Sequence, residues 1–485
     1  MKNQWKLGLA AVLCTCLLLP GPRAEAVEIS PETQAEFDRL MEIGAGDILD
    51  QFLSSLPEEV RNALVQAEEQ KYANPTVPLD AQDLPGSGIC GVSLSWELSE
   101  SGVLTVSGTG EMFDFREGRP APWSESREAI KEVVLAEGVT NIGNLAFVGC
   151  VNLEKLTLPD KLEAIGDEAF RGCTSLEELK LPGSLKSIGW AAFANCSALS
   201  WIQIPGTVDA LGGYAFFGCT KLNTVAIPDS VTAIETAAFR GCTSLVDVFI
   251  PENVSFIGSQ AFYGCSSLRS VAIPEAVTTI SEMAFYGCTG LKSAELSINL
   301  EKIGAEAFAG CSSLTSLSIP GSVRTIGDGA FRDCASITSV MIPSGVTEIG
   351  NYVFRNCRGL TAVVLPETLE RIGRYAFSYC SKLETIRIPA AVTEIGTEAF
   401  SNCGMWSVTF QGAAPTIWDN AFKGVQATAF YPGCPGLESK SHRFLRRKSD
   451  LGNHLKIAPA FQMECGGLHS IHHANGKIGI CRGDS

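Results

Sequence analysis

The chain has 485 residues, of which 45% are apolar and 19% charged, enough for two or more regions with cores of their own. Its formal net charge of −16 argues against a nucleic-acid or anionic-membrane partner. All five histidines lie at or after His442, so most of the chain cannot host a Ser-His or Cys-His nucleophile pair.

Residues 1–26 read as a secretory signal. Lys2 and Lys6 form its basic end, Leu7 to Leu19 its apolar run, and Ala24-Glu25-Ala26 its small-residue cleavage site. The run is too short and wrongly flanked for a membrane span, so no membrane insertion is expected after cleavage. Residues 27–83 form an acidic leader with helical spacing. Ser30-Pro31 offers a cap and a first-turn proline, and Phe37, Leu40, Met41, Ile48, Leu49 and Phe52 recur on one face. A proline-rich linker from Asn74 to Gly88 follows. Residues 84–126 change character. Val92 to Leu98 alternates, Ser101-Gly102 turns and Val103 to Gly108 returns, which predicts a β-hairpin cap over the open end of what comes next.

Residues 127–431 are a tandem repeat. Cysteines stand at 150, 173, 196, 219, 242, 265, 288, 311, 334, 357, 380 and 403, a constant period of 23 residues, each three after a phenylalanine. A fixed period in this range with leucines in register marks a leucine-rich solenoid. In the copy that starts at Cys173, Leu179 and Leu181 alternate with polar residues as in a half-buried strand. Pro182 ends that strand, and a second extended run spans Leu185 to Ile188. Gly189 is expected to turn the chain with a positive φ, and Ala192-Phe193 to carry the ring inward. A single unit cannot bury its own apolar face, but stacked units can. Each brings about five large apolar side chains, at roughly 1.5–3 kcal/mol apiece when fully buried. About thirteen units give a body on the order of 65 Å long. The last has one residue fewer, Phe422 following Phe400 by 22, and Val425 where cysteine was due.

The unit Cys-x-x-Leu-x-x-Leu-x-Leu-Pro-x-x-Leu-x-x-Ile-Gly-x-x-Ala-Phe resembles that of BspA-type leucine-rich repeat proteins. The leader from Gly91 to Gly110 is similar to the segment that precedes such repeats in secreted bacterial members. The resemblance covers about Gly86 to Tyr431. It implies a β-rich repeat solenoid and, for some members, a surface or secreted adhesin that binds host extracellular proteins or other microbes. A fold alone carries no activity.

On each strand the residues beside the buried leucines are expected to face outward. Examples are Glu178 and Lys180, Trp201 and Gln203, Thr224 and Ala226, Asp247 and Phe249, Ser316 and Ser318, Ser339 and Met341, and Ala362 and Val364. Trp201 and Phe249 stand out as aromatic residues about 10 Å apart by strand spacing, the residue types that binding hot spots use. Together with Gln203, Asp247 and Thr224 they form the candidate protein-binding site. The partner is expected to be an extracellular protein of a host or neighbouring microbe, and the chain a monomer. The arginines after the buried phenylalanines (Arg171, Arg240, Arg332 and Arg355) are expected to form a solvated edge.

Equivalent cysteines would line up in one column, roughly 5 Å apart. They are expected to be buried thiols that fill space and donate weak S–H bonds to loop carbonyls, with metal binding and redox catalysis the alternatives. No cofactor, metal site or catalytic residue is expected, and no zinc-protease, P-loop or dinucleotide motif occurs. Residues 432–485 form a basic tail without the repeat, with eight Lys or Arg against four Asp or Glu after Pro432. It admits a metal site at Cys465, His469, His472 and Cys481, an Arg482-Gly483-Asp484 tripeptide, or a frame-shifted end. The whole reads as a secreted protein-binding solenoid without chemistry, the alternative being a structural spacer.

Overall fold

A computed structural model describes residues 86–116 and 118–430. The signal, the helical leader and the basic tail lie outside the described residues.

The cap is larger than a hairpin. β1 (Ser87–Gly91), β2 (Leu94–Leu98) and β3 (Val103–Glu111) form an antiparallel meander. The turn falls as expected, with Gly102 at φ +87 and its N–H donating to the Ser99 carbonyl. β3 is long enough to serve both ladders of the solenoid. Val103–Val106 pairs in parallel with β4 (Glu132–Leu135), and Thr109–Glu111 pairs with β5 (Gly138–Ile142). One strand therefore covers the edge that would otherwise be left open.

Beyond the cap each unit repeats the same path. A three-residue strand such as Glu178–Lys180 is followed by a two-residue strand such as Ser187–Ile188 and a compact turn. The second run is thus shorter than the expected Leu185 to Ile188. Successive units stack in parallel at a register of 23, so that Leu179, Ile202, Val225 and Val248 face one another. At the C-terminal end the register drops to 22, pairing Thr385 with Ser407 and Ile388 with Phe410, and then to 21, pairing Ser407 with Thr428. The missing residues are absorbed without breaking the ladder.

The core is a set of columns. Thirteen phenylalanine rings, from Phe147 to Phe422, stack with centroids 5.2 to 5.7 Å apart and planes within 14° of parallel. Trp123 from the cap heads the column. It stacks on Phe147 at 5.5 Å, and its Nε1–H donates to the Ala146 carbonyl at 2.7 Å. The indole closes the top of the column, with its one polar atom satisfied.

The turns correct one expectation. Gly189 does not have a positive φ. It is glycine because a Cβ there would lie 2.6 Å from the Asp167 N and the Gly166 carbonyl carbon of the unit before. Close stacking, not turn geometry, excludes a side chain. The left-handed positions are elsewhere. One lies two residues before each phenylalanine, where Ala191 (φ 50) and Tyr214 (φ 58) are typical, and one lies just before each cysteine, as at Gly172. At both, the conformation turns the N–H towards the next unit. Ala191 N donates to the Gly213 carbonyl and Gly172 N to the Ala194 carbonyl, each at 2.8 Å. Inter-unit bonds worth about 1 kcal/mol each help to offset the backbone cost.

A side-chain ladder runs beside the first turns. Asp114 Oδ1 accepts from Asn144 N, Asn144 Oδ1 from Asp167 N, and Asp167 Oδ1 from Trp190 N, at 2.9, 2.7 and 2.6 Å. Burial pushes the Asp167 carboxyl up to about 6, against the bond from Trp190, and the charges of Asp114 and Glu168 add to the rise.

Phe262→Ala should lower the denaturant-unfolding stability by about 3–5 kcal/mol, because it opens a cavity between two stacked rings. Asp167→Asn keeps the acceptor oxygen, as Asn144 does one unit earlier, and removes a buried charge. In the parent that charge costs nothing below pH ~4, where the group is protonated folded or unfolded, and its cost grows as the pH rises through about 6. The variant should therefore be more stable than the parent at pH 7, by on the order of 1–3 kcal/mol. The two should converge by pH ~4 in a pH series of unfolding midpoints.

Candidate functional site

The strand alternation places the candidate residues. Trp201–Gln203, Thr224–Ala226 and Asp247–Phe249 are adjacent parallel strands, each with an apolar residue turned inward between two exposed neighbours. Glu178, Trp201, Thr224 and Asp247 form one row of register partners, and Lys180, Gln203, Ala226 and Phe249 the other. All five candidate residues are thus gathered on one surface. Trp201 is 41% exposed and Phe249 65%. They lie in different rows, so they face each other diagonally across Thr224 and Ala226 and not along one line. The small residues between them leave a shallow apolar saddle, with Asp247 at one corner and Gln203 at the other.

The same face carries features that the sequence reading did not single out. Met341 (66% exposed) and Val364 (53%) are register partners on neighbouring strands and form a second apolar patch. Their outward direction was expected from the alternation, but a preference for aromatic residues passed over them. At the C-terminal end Trp406 and Trp418 are exposed, each with its Nε1–H directed at a glutamate of the unit before, Glu384 and Glu394 respectively. Trp418 occupies the place that glycine holds in most units, as Glu235 and Ser281 do within the array. Ser316 and Ser318, expected on a strand, are joined to the preceding unit only by a bridge between Ser293 and Ser316.

The arginine edge is more organised than a row of solvated charges. Arg171 pairs with Glu168 at 2.6 Å. Arg240 lies over the Phe217 and Tyr263 rings, at 5.7 and 4.7 Å, and donates to Gln260. Arg332 pairs with Glu306 at 2.7 Å, and Arg355 lies over Tyr352 and Tyr375 at 5.7 and 5.8 Å. A cation held over aromatic faces keeps its charge and fixes its direction.

The cysteine column is a packing element. All twelve thiols are free and buried. From Cys173 onward each Sγ–H donates to the phenylalanine carbonyl 26 residues earlier, as from Cys173 to Phe147 and from Cys265 to Phe239, at 3.0 to 3.3 Å. Burial pushes the Cys242 and Cys288 thiols up to about 12, so they hold their protons at neutral pH and are weak nucleophiles. Among the described residues no group of His, Cys, Asp and Glu is placed to hold a metal ion, and no helix is long and apolar enough to cross a membrane.

The model of the BspA type leucine rich repeat region matches residues 125–246, 211–322, 234–361 and 301–429. The chain belongs to the BspA-type leucine-rich repeat family. Membership makes it a repeat protein of a kind that acts through protein interaction. A leucine-rich repeat protein from Bacteroides ovatus shares its fold, at 24% identity and a TM-score of 0.50, covering 68% of this chain and 91% of its own. A leucine rich cell surface protein from Faecalibacterium prausnitzii is similar at 25% identity over 73% of this chain and 97% of its own, with a TM-score of 0.41. The pneumococcal vaccine antigen PcpA matches at 16% identity over 68% of this chain and 94% of its own, with a TM-score of 0.32. No curated protein matches the chain.

For a BspA-type solenoid with buried column thiols, a thiol reagent at pH 7 should leave the twelve column cysteines unmodified in the folded protein and label all of them in denaturant. Peptide mass spectrometry reads the difference residue by residue. Labelling of Cys265 or Cys288 under folding conditions would contradict the packing role.

Proposed function

We propose that this chain is a secreted, adhesin-like binding protein that performs no chemistry of its own. It takes an extracellular protein of a host or neighbouring microbe on its strand-lined face, at Trp201, Gln203, Thr224, Asp247 and Phe249. The observation that carries the reading is the pair of exposed aromatic residues flanking small side chains on three rigid, mutually paired strands. Large amphipathic rings on a preorganised surface supply contact area at little entropic cost, which is how hot spots concentrate binding energy. The signal-like residues 1–26 support export, and the cell-surface description of the Faecalibacterium protein fits the same setting.

A second reading, a spacer that holds another module away from the cell, is favoured by a different stretch of the same face. From Ser270 and Ala272 through Ser293 to Ser316 and Ser318 it presents mostly small side chains, which offer little to grip.

Surface plasmon resonance against a panel of host extracellular-matrix and microbial surface proteins separates the two. The binder reading expects saturable binding, weakened roughly 30-fold or more by Trp201→Ser with Phe249→Ser at unchanged thermal stability. Binding that survives the double change would move the site off this saddle, towards Met341 and Val364. No binding to any protein of the panel would favour the spacer.

A further inference from the structure

The residue before each column cysteine has a left-handed backbone in every unit, and most units place glycine there, as at Gly149, Gly172, Gly218, Gly241, Gly264, Gly287 and Gly310. Asn195 departs from this once, and after Gly310 four successive units depart. Asp333, Asn356, Tyr379 and Asn402 hold the same conformation, with φ between 57 and 63. Asp and Asn accept it readily, whereas a tyrosine does so at a conformational cost that glycine would avoid. Held strain of this kind tends to gather where a side chain is needed.

The side chains these units gain are put to use together. Asp333, Asn356 and Tyr379 line an open concavity of about 370 Å3 with Arg332, Arg355 and Arg358. That is at the low end of the roughly 300–1,000 Å3 usual for small-molecule sites. Its walls are cross-linked. Asn356 Nδ2 donates to Asp333 Oδ1 at 2.6 Å, Arg358 Nε donates to Asn356 Oδ1 at 2.7 Å, and Arg332 Nε lies 3.3 Å from Asp333 Oδ2. Arg332 also pairs with Glu306. Arg355 is fixed by the Tyr352 and Tyr375 rings and not by a carboxylate. Three guanidinium groups therefore meet two carboxylates, an excess of positive charge on a chain of net charge −16. Arg355 and the far nitrogens of Arg358 are the donors left for an anion. Tyr379 is 45% exposed at the rim and offers a ring face.

We propose that this concavity binds an acidic saccharide. Arg355 and Arg358 take the sugar carboxylate, for which the guanidinium fork is the matching donor. The Tyr379 ring supplies a flat apolar platform for the C–H face of the sugar. The polar walls and the lack of a closed apolar pocket favour a hydroxylated ring over a peptide side chain. The site shares no residue with the strand-face saddle, so it stands or falls separately from that reading.

Saturation-transfer NMR and calorimetry on the purified protein at low salt test it. The probes are sialyllactose and a glucuronate-containing disaccharide, with lactose as the neutral control. At least one acidic saccharide should bind saturably while lactose does not, and added salt should weaken the binding. Arg355→Gln with Arg358→Gln should reduce affinity roughly tenfold or more. Tyr379→Gly restores the repeat's usual residue, so it should raise the melting temperature while it weakens binding. That pairing separates a binding role from a structural one. Trp201→Ser with Phe249→Ser should leave saccharide binding unchanged. The proposal is overturned if neither acidic saccharide binds, or if the arginine and tyrosine variants bind as the parent does. It is equally overturned if a polyglutamate hexapeptide binds as tightly as the saccharides.

Discussion

Every unit of this protein depends on the ring above and the ring below its own phenylalanine. A 23-residue segment has no interior of its own, and its apolar side chains are buried only because identical side chains stand at the same place in the adjacent units. The stack from Trp123 through Phe422 is therefore the axis to which the leucine, isoleucine and cysteine columns are fixed. Its spacing sets how close the backbones come, and that closeness explains the glycine at 189, where a Cβ would strike the preceding unit. It also explains why cysteine suits its column. The thiol is small enough for the space beside the rings and can return a weak hydrogen bond to a turn carbonyl.

An array of this kind separates stability from recognition. The inward positions repeat because each must match its neighbours, while the outward positions on the strands are released from that demand. What they carry is therefore informative. Most of the strand face is small or singly charged, and the large apolar exceptions include Trp201, Phe249, Met341, Val364 and Phe430. On a rigid ladder such residues are held ready for contact at no further ordering cost. The turn edge is also released, but less fully. Its residues must still keep a left-handed backbone so that their N–H groups reach the next unit. Asp333, Asn356 and Tyr379 meet that demand with side chains where glycine would be easier, and the arginines beside them are positioned by rings and carboxylates.

The two ends of the array are handled differently. At the start, β3 pairs with both ladders and Trp123 closes the ring column. At the far end of the described residues, the shortened unit keeps its ladder, and Val425 fills the place of the thiol. There a tryptophan, Trp418, stands at the position that glycine holds in most units and points its Nε1–H at Glu394.

What the sequence determined by itself is whatever follows from periodicity. The 23-residue repeat, the inward leucines, the buried thiols and the outward direction of Trp201 and Phe249 all follow from residue spacing, because stacking puts equivalent positions in equivalent surroundings. Only the tertiary structure decided the rest. Contact between units moved the left-handed positions away from Gly189 to Ala191 and to the residue before each cysteine. The replacement of glycine at Asp333, Asn356 and Tyr379 was visible in the sequence as a break in the Phe-x-Gly-Cys pattern. That these side chains meet Arg332, Arg355 and Arg358 in one concavity was not, because the meeting depends on how a turn of one unit packs against the turns beside it.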